Sequence, residues 1–255
     1  MAEPSSRQLE GQVALITGCV RRIGKASALA LAREGAAIVV HAKNSRDEAE
    51  ALAKEIEDIG GEVLVHLADV TNEAAVQGLV DTVIDRFGRI DILMNNAAIR
   101  RQTPLIDMSF DEWHEILAII LDGAFLCTRA CVPHMIKSGG GVIINMGGIS
   151  SYAGSLNRVH VEAGKAGLGG MTRGLAMELA EHNITVNLIA PGAIGGERSK
   201  TSPESASKFG GNTIPLGRMG TFENISNMVH ALCIPAGRYI TGQTIHINGG
   251  KYLGS

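Results

Sequence analysis

Among the side chains between positions 151 and 165 that can carry out acid–base or nucleophilic chemistry, four are catalytic candidates: Ser151, Tyr152, His160 and Lys165. An imidazole exchanges protons near neutral pH, and hydroxyls and amines donate, accept or attack. On a helix, residue 161 and Lys165 lie one turn apart on one face, whereas His160 lies about 100° around the helix from residue 161. The spacing therefore makes Lys165 the central catalytic candidate, with His160, Ser151 and Tyr152 as its possible partners.

Each partner also has a structural interpretation. His160 can pack in a helix–helix contact, while Ser151 and Tyr152 can belong to a surface turn. Arg158, at the expected start of the same helix, can bind a carboxylate or carbonyl oxygen of a substrate or can simply be exposed. The sequence alone leaves these alternatives open.

A glycine turn, T-G-C-V-R-R-I-G at 17–24, follows the first apolar run and opens a helical pattern. Gly18 permits the tight turn, and the first N–H groups of the helix suit a pyrophosphate. Arg21 and Arg22 suit the additional 2′-phosphate of NADP(H). A purely structural turn is the alternative interpretation.

The second apolar run ends in H-A-K-N-S-R, without an Asp to accept from a free ribose 2′-hydroxyl. Its polar residues again favour a phosphate: Lys43, Asn44, Ser45 and Arg46. A solvated basic loop is the alternative. The sequence thus predicts NADP(H) as the cofactor, with NAD(H) less favoured.

Short apolar runs alternate with helical patterns along the whole chain. Strands are predicted at 12–17, 37–41, 62–67, 90–95, 141–146, 185–190 and 243–247. Helices are predicted at 23–33, 46–59, 72–87, 109–137, 159–181 and 221–232. This alternation predicts one α/β domain over residues 1–255, with a Rossmann-like, doubly wound, parallel seven-stranded sheet. Residues 1–10 are expected to form a loose tail, and 192–213 a loop that covers the substrate.

Composition excludes several other classes of protein. The chain has 255 residues, 45% hydrophobic content and a net charge of −3, so nucleic acid is not the expected partner. The first residues have no apolar signal core, and the apolar runs are shorter than a membrane span. The four cysteines lack metal or disulfide spacing. A cytoplasmic, reduced protein without a metal or a membrane partner is expected.

Several motifs together resemble the short-chain dehydrogenase/reductase family over about residues 8–252. They are the glycine turn, A-D-V at 68–70, N-N-A-A at 95–98, P-G at 191–192, P-L-G-R-M-G at 215–220 and I-T-G-Q…N-G-G at 240–250. The Arg pair is similar to that of pteridine-reductase-like members. The resemblance implies cofactor contacts at Gly18, Val20, Arg21, Arg22, Ile23, Lys43, Asn44, Ser45, Asp69, Val70, Asn96, Ala97, Lys165, Pro191, Gly192 and Ile194.

The resemblance also implies a Ser–Tyr–Lys site, of which only Lys165 stands at its expected position. Four positions that the family fills with polar side chains near the nicotinamide are apolar or bare: Ile120 for Asn, Gly148 for Ser, Val161 for Tyr and Gly196 for Thr. A hydrocarbon or a hydrogen cannot exchange a proton. A displacement of S-S-x-A-G by three residues would instead put Ser151 at the Ser position.

Three functions follow from this mixture. The first is an NADP(H)-dependent oxidoreductase for a small carbonyl or alcohol substrate, with a substituted proton donor. The second is a hydrolase or lyase on the same fold that uses His160, Ser151 and Lys165, and the third is a catalytically silent nucleotide-binding protein. Arg100 and Arg101 either meet an anionic substrate or form a solvated pair. The apolar helices at 109–137 and 159–181 predict a homotetramer or a homodimer.

Overall fold

Seven parallel strands form the centre of the computed structural model, which describes residues 7–195 and 214–254. In chain order they are β1 (Val13–Ile16), β2 (Ala37–Ala42), β3 (Val63–Leu67), β4 (Ile92–Asn95), β5 (Gly141–Met146), β6 (Ile184–Pro191) and β7 (Thr244–Ile247). Their spatial order is β3-β2-β1-β4-β5-β6-β7. The winding reverses between β1 and β4, which confirms the predicted doubly wound sheet and opens a crevice at the carboxyl ends of the strands.

The predicted helices form, with ends shifted by a few residues. They are α1 (Arg22–Arg33), α2 (Arg46–Asp58), α3 (Glu73–Phe87), α4 (Phe110–Leu117), α5 (Gly123–Lys137), α6 (Ser150–Ala153), α7 (Val159–Glu178) and α8 (Phe222–Cys233). The long helix predicted at 109–137 is α4 and α5 joined by a π-helical turn at Ala118–Asp122. The short α6 was not predicted, because its polar and aromatic residues have no helical periodicity.

The sheet is buried on both faces, as its near-continuous apolar strands require. Ile16 and Met94 contribute to one core cluster under α1, α2 and α8. Leu15 and Leu93, one residue along the same strands, contribute to a second cluster under α3 and α5. The alternation of side chains across each strand therefore divides the core into two layers that fix the carboxyl edge.

The chain is anchored close to its beginning. Leu9 is fully buried, and its N–H donates to the carbonyl of Glu34 at 2.9 Å. The predicted loose tail is therefore wrong for residues 7–10, and its residues 1–6 lie outside the described part of the chain. Of the predicted loop 192–213, only 192–195 are described.

One helical stretch among the described residues, Phe110–Lys137, has the length and hydropathy of a membrane span, with a mean hydropathy of 1.8. It combines α4, the π-helical turn and α5. This is weak evidence for a membrane, since core helices of soluble proteins have the same composition.

Candidate active site

The glycine turn after β1 is packed against the segment that follows β4. Gly18 has a φ of +60°, which favours glycine. A Cβ at Gly24 would lie 2.6 Å from the Cα of Cys19 and 2.8 Å from the side-chain nitrogen of Asn96. That nitrogen donates to the carbonyls of Thr17 at 3.0 Å and Gly18 at 2.9 Å. The turn is thus held in a fixed shape against β4.

The start of α1 is left open for an acceptor. Arg21 is its N-cap residue and provides no side-chain capping bond, so the first N–H groups have no partner from a cap. Arg22 has a φ of +54°, a left-handed conformation that is unfavourable for a side chain other than glycine. The glycine pattern of the family has its middle glycine at this position, so the backbone keeps the shape that the resemblance implies.

His41 is a residue of this site that sequence reasoning missed. It is 2% exposed at the end of β2, where its Nδ1 accepts from the N–H of Gly18 at 3.1 Å. Because Nδ1 is an acceptor, Nε2 carries the proton and donates to the carbonyl of Ala68 at 3.0 Å. Burial lowers the pKa of His41 from 6.5 to about 4, so the ring is neutral. The available signal was a histidine inside an otherwise apolar strand.

Three cations that were predicted to meet a 2′-phosphate each pair with a carboxylate in this structure. The pairs are Arg21 with Glu48, Lys43 with Asp69 at 2.6 Å and Arg46 with Glu50 at 3.5 Å. The ion pair with Lys43, and next the hydrogen bonds from Thr71, lower the pKa of Asp69 to about 2. The three basic side chains are all more than half exposed, so these pairs contribute little to stability and can exchange partners. Asn44 is exposed, and Ser45 begins α2 without a side-chain capping bond.

Lys165 lies at the carboxyl edge of β5. It is 8% exposed, and its Nζ donates to the carbonyl of Met146. Its pKa is lowered from 10.5 to about 7, chiefly by burial and then by the charge of Arg100, while the charge of Glu162 opposes the shift. Among the described residues, no carboxylate lies within ion-pair distance of this amine. An amine with this pKa exchanges protons at neutral pH.

The positions that the family fills with Asn and Tyr are part of an apolar cluster. Ile120, in the π-helical turn, is 2% exposed, and Val161, one turn before Lys165, is 6% exposed. Both pack with Leu188 and Ala190 of β6. Hydrocarbon therefore fills the two positions at which the family has these polar side chains.

His160 is completely buried in α7. Its Nε2 lies 3.1 Å from Oε1 of Glu112, which also accepts from the hydroxyl of Thr103 at 2.5 Å. Its Nδ1 is buried with no partner. The ring thus links α7 to α4 and is not exposed in the crevice. Its acid–base role stays a prediction, and this placement does not favour it.

Ser151 and Tyr152 lie on the short α6. The hydroxyl of Ser151 donates to the carbonyl of Gly148 at 2.8 Å. The hydroxyl of Tyr152 lies 3.1 Å from that of Thr244 in β7, and its ring packs on His246 at 4.8 Å between centroids. A Cβ on Gly148 would instead meet the hydroxyl of Ser150 at 3.6 Å. Tyr152 is therefore held toward β7, and the catalytic roles of Ser151 and Tyr152 stay predictions.

The remaining predicted cofactor residues lie around the same edge. Asp69 accepts from the N–H of Thr71 at 3.0 Å, and Val70, Ala97 and Ile120 line a small cavity. Further residues of this edge are Val20, Ile23, Pro191, Gly192 and Ile194. The N–H of Gly192 donates to the carbonyl of Ile247 at 2.8 Å. Gly196 lies outside the described residues, and no cluster of potential metal ligands occurs within 7–195 and 214–254.

A doubly wound parallel sheet with an open glycine turn at its switch point and a buried lysine at its carboxyl edge is the architecture of a Rossmann-like dehydrogenase. Comparison with known proteins is consistent with this class. Residues 18–251 match a family described as enoyl-(acyl carrier protein) reductase. The chain belongs to the short-chain dehydrogenase/reductase family of oxidoreductases, as its motifs predicted.

Similar proteins cover almost the entire chain. A 3-oxoacyl-[acyl-carrier-protein] reductase of Synechocystis sp. is 41% identical over 96% of this chain and 98% of that protein. The corresponding reductase of Thermotoga maritima is 38% identical over 96% of this chain and 100% of that protein. A solved short-chain dehydrogenase/reductase of Serratia marcescens, in the form of a double mutant, aligns with a TM-score of 0.89. It is 33% identical, over 96% of this chain and 99% of that one.

Proposed function

We propose that this protein is an NADP(H)-dependent oxidoreductase that interconverts a carbonyl and an alcohol with an active site that lacks the family's tyrosine. The observation that carries the proposal is the buried Lys165 at the same edge as an intact, open glycine turn. Reductases as similar as those above, matched over almost their full lengths, support the reaction class.

The crevice fits a dinucleotide. Gly18 and Gly24 allow close approach of the backbone, and the uncapped start of α1 offers N–H groups to a pyrophosphate. The cofactor residues named from the sequence would hold the group, with Asp69 and Val70 toward one end and Lys165, Pro191 and Gly192 toward the other. When bound, the nicotinamide supplies or accepts the hydride.

The extra phosphate of NADP(H) suits the basic side chains after β1 and β2. Arg21 and Lys43 have only exposed ion pairs, which a doubly charged phosphate would replace at little cost. The sequence H-A-K-N-S-R at the end of β2 has no carboxylate that could accept from a free ribose hydroxyl. These features support NADP(H) over NAD(H).

Lys165 is the group best placed to handle the proton. Its amine has one partner, the carbonyl of Met146, and so retains hydrogens for a ribose hydroxyl and for the substrate oxygen. With a pKa of about 7, it is half protonated at neutral pH and can both donate and accept. His160, through Glu112, then acts as a positioning residue for the start of α7.

A hydrolase or lyase that uses His160, Ser151 and Lys165 is less well supported. His160 is buried against Glu112, and the hydroxyl of Ser151 is engaged with Gly148, so the three do not form a nucleophile–base arrangement. A catalytically silent protein has no specific observation in its favour.

A homodimer or homotetramer in the cytoplasm, without a nucleic-acid or membrane partner, completes the proposal. The exposed Phe110 and Phe125 on α4 and α5 are apolar side chains that a second copy would cover. Light scattering tests this, because a strictly monomeric protein would contradict it.

The cofactor is tested by titrating the protein with NADPH and with NADH while the nicotinamide fluorescence is recorded. We expect NADPH to bind more tightly than NADH. The double variant Arg21→Ala and Lys43→Ala should weaken the binding of NADPH and have little effect on the binding of NADH. Arg33→Ala removes an exposed charge at the other end of α1 and serves as the control. Equal affinity for the two nucleotides in the unmutated protein would refute the preference, and no binding of either would refute the proposed function.

A further inference from the structure

Four cationic side chains follow the strands that border the crevice. Arg22 begins α1 after β1, and Arg100 follows β4. Arg158 precedes α7, the second helix after β5, and Lys165 lies in the second turn of α7. The strands are parallel, so their carboxyl ends meet at one edge of the sheet. These residues, called here the cationic cluster, therefore come together from three segments.

The charges of the cluster act on one another. The protein atoms around Arg100 lower its pKa most, and the charges of Arg22 and Arg158 lower it further. The charge of Arg100 in turn adds to the effect of burial in lowering the pKa of Lys165. Arg100 nevertheless remains exposed to solvent. An exposed side chain with protein and other cations around it is typical of the wall of an open crevice.

The two arginines Arg100 and Arg158 lack ion-pair partners among the described residues. Arg101 pairs with Glu115 at 2.7 Å, but among the described residues no carboxylate makes an ion pair with Arg100 or Arg158. The carboxylate of Glu162, whose Oε1 accepts from the hydroxyl of Ser155 at 2.5 Å, offsets part of the positive charge at Lys165. The crevice therefore has an excess of positive charge.

Arg158 is held in a defined orientation. With the amide of Gln102 turned so that its oxygen faces Arg158, that oxygen accepts from Nε and Nη2, both at 3.1 Å. The N–H of Thr103 also donates to the carbonyl of Asn157 at 2.8 Å. These bonds tie the segment after β4 to the start of α7 and leave Nη1 of Arg158 available to a ligand.

We infer that Arg100 and Arg158 bind a carboxylate of the substrate beside Lys165, so that the substrate is a small oxo acid. An arginine fork matches the planar geometry of a carboxylate, so the guanidinium of Arg100, with Nη1 of Arg158, suits one anionic group. This inference rests on the proposed function and names its substrate class. A carbonyl a few bonds from that carboxylate would lie next to the Lys165 amine.

The test compares an oxo acid with its neutral ester. Calorimetric titration of the protein, with and without saturating NADP⁺, uses acetoacetate and methyl acetoacetate as probes. We expect acetoacetate to bind at least tenfold more tightly than the ester. Arg100→Gln and Arg158→Gln should each weaken acetoacetate about tenfold or more and leave the ester unchanged, because only the anion is recognised by the guanidinium groups.

Two further variants serve as controls. Arg33→Gln removes a charge at the far end of α1 and should leave acetoacetate binding unchanged. Arg100→Lys keeps the charge and should restore part of the affinity, which also separates recognition from a loss of folding. Circular dichroism checks that each variant is folded.

Three results would overturn the inference. The first is that the ester binds as tightly as the acid. The second is that the two glutamine variants leave the affinity for acetoacetate unchanged. The third is that they weaken the binding of NADP⁺ and not that of acetoacetate, which would assign the cluster to the nucleotide. Acetoacetate binding that persists in a protein unable to bind NADP(H) would refute the proposed cofactor but not the carboxylate site.

Discussion

Acidification should destabilise the fold through His41. The ring is buried and neutral, with Nδ1 accepting from Gly18 and Nε2 donating to Ala68. Its pKa is about 4 in the folded protein, against 6.5 for an ordinary histidine. The unfolded chain therefore takes up a proton as the pH falls below about 7, while the folded protein does not. The stability that the neutral ring contributes is complete above that range and is lost as the pH falls toward 4.

The size of the effect follows from the two pKa values. Each pH unit between them is worth about 1.4 kcal/mol, so the full loss is about 3.4 kcal/mol. Between pH 8 and pH 5 the loss is about 2 kcal/mol, a large part of the stability of a typical domain. Protonated Nδ1 cannot accept from Gly18, so the same change also loosens the glycine turn.

The measurement is urea unfolding, followed by circular dichroism at fixed protein concentration, at pH 8 and pH 5. His41→Asn retains an acceptor near the position of Nδ1 but does not titrate. This variant should be less stable than the unmutated protein at pH 8. From pH 8 to pH 5, its free energy of unfolding should fall by about 2 kcal/mol less than that of the unmutated protein. Other titrating groups, Lys165 included, cancel in this comparison. His182→Asn, which removes a partly exposed histidine, is the control.

A pH dependence that is the same in the unmutated protein and in His41→Asn would refute the assigned role of this residue. The role would also be refuted if His182→Asn reduced the pH dependence of the free energy of unfolding as much as His41→Asn is expected to. Either result would mean that His41 is not held neutral between Gly18 and Ala68.

Three further changes test local packing. Gly24→Ala should destabilise the protein and weaken binding of the proposed cofactor, because its methyl group would overlap backbone atoms. Gly78→Ala, in open space on α3, should instead raise the free energy of unfolding in urea by about 1 kcal/mol. Arg22→Gly should relieve a left-handed φ and stabilise the protein by about 1 kcal/mol, as judged by thermal unfolding. Arg21→Gly should not stabilise the protein, because φ at this residue is −143°. Asp91→Ala should lower the free energy of unfolding in urea by about 1–3 kcal/mol, because the buried N–H of Val13, 2.8 Å from this carboxylate, loses its acceptor. Asp91→Asn should recover part of that loss.

Sequence patterns were sufficient for the architecture. Alternating apolar runs and helical patterns specify a doubly wound parallel sheet, because buried strands need helices on both faces and crossovers have one hand. The family could also be identified in this way, because its motifs occur in order along the chain. The π-helical turn at Ala118–Asp122 and the short α6 could not be predicted, since neither has a periodicity of its own.

Tertiary structure decided which candidate side chains face the crevice. The sequence places His160 next to Val161, but only the packing of α7 on α4 shows that its ring is engaged by Glu112. Likewise, Tyr152 follows β5 closely but hydrogen-bonds to Thr244, on a strand far away in sequence. Orientation about a helix axis and contacts between distant segments set these positions, and local spacing contains neither.

Electrostatic properties also required the fold. Lys165 was identified from its spacing, but its low pKa arises from burial and from the charge of Arg100. His41 was overlooked as one polar residue in an apolar strand, yet in the fold it joins the glycine turn to the segment that follows β3. The sequence thus determines which chemical groups are available, whereas only the tertiary structure decides how deeply each is buried and which charges surround it.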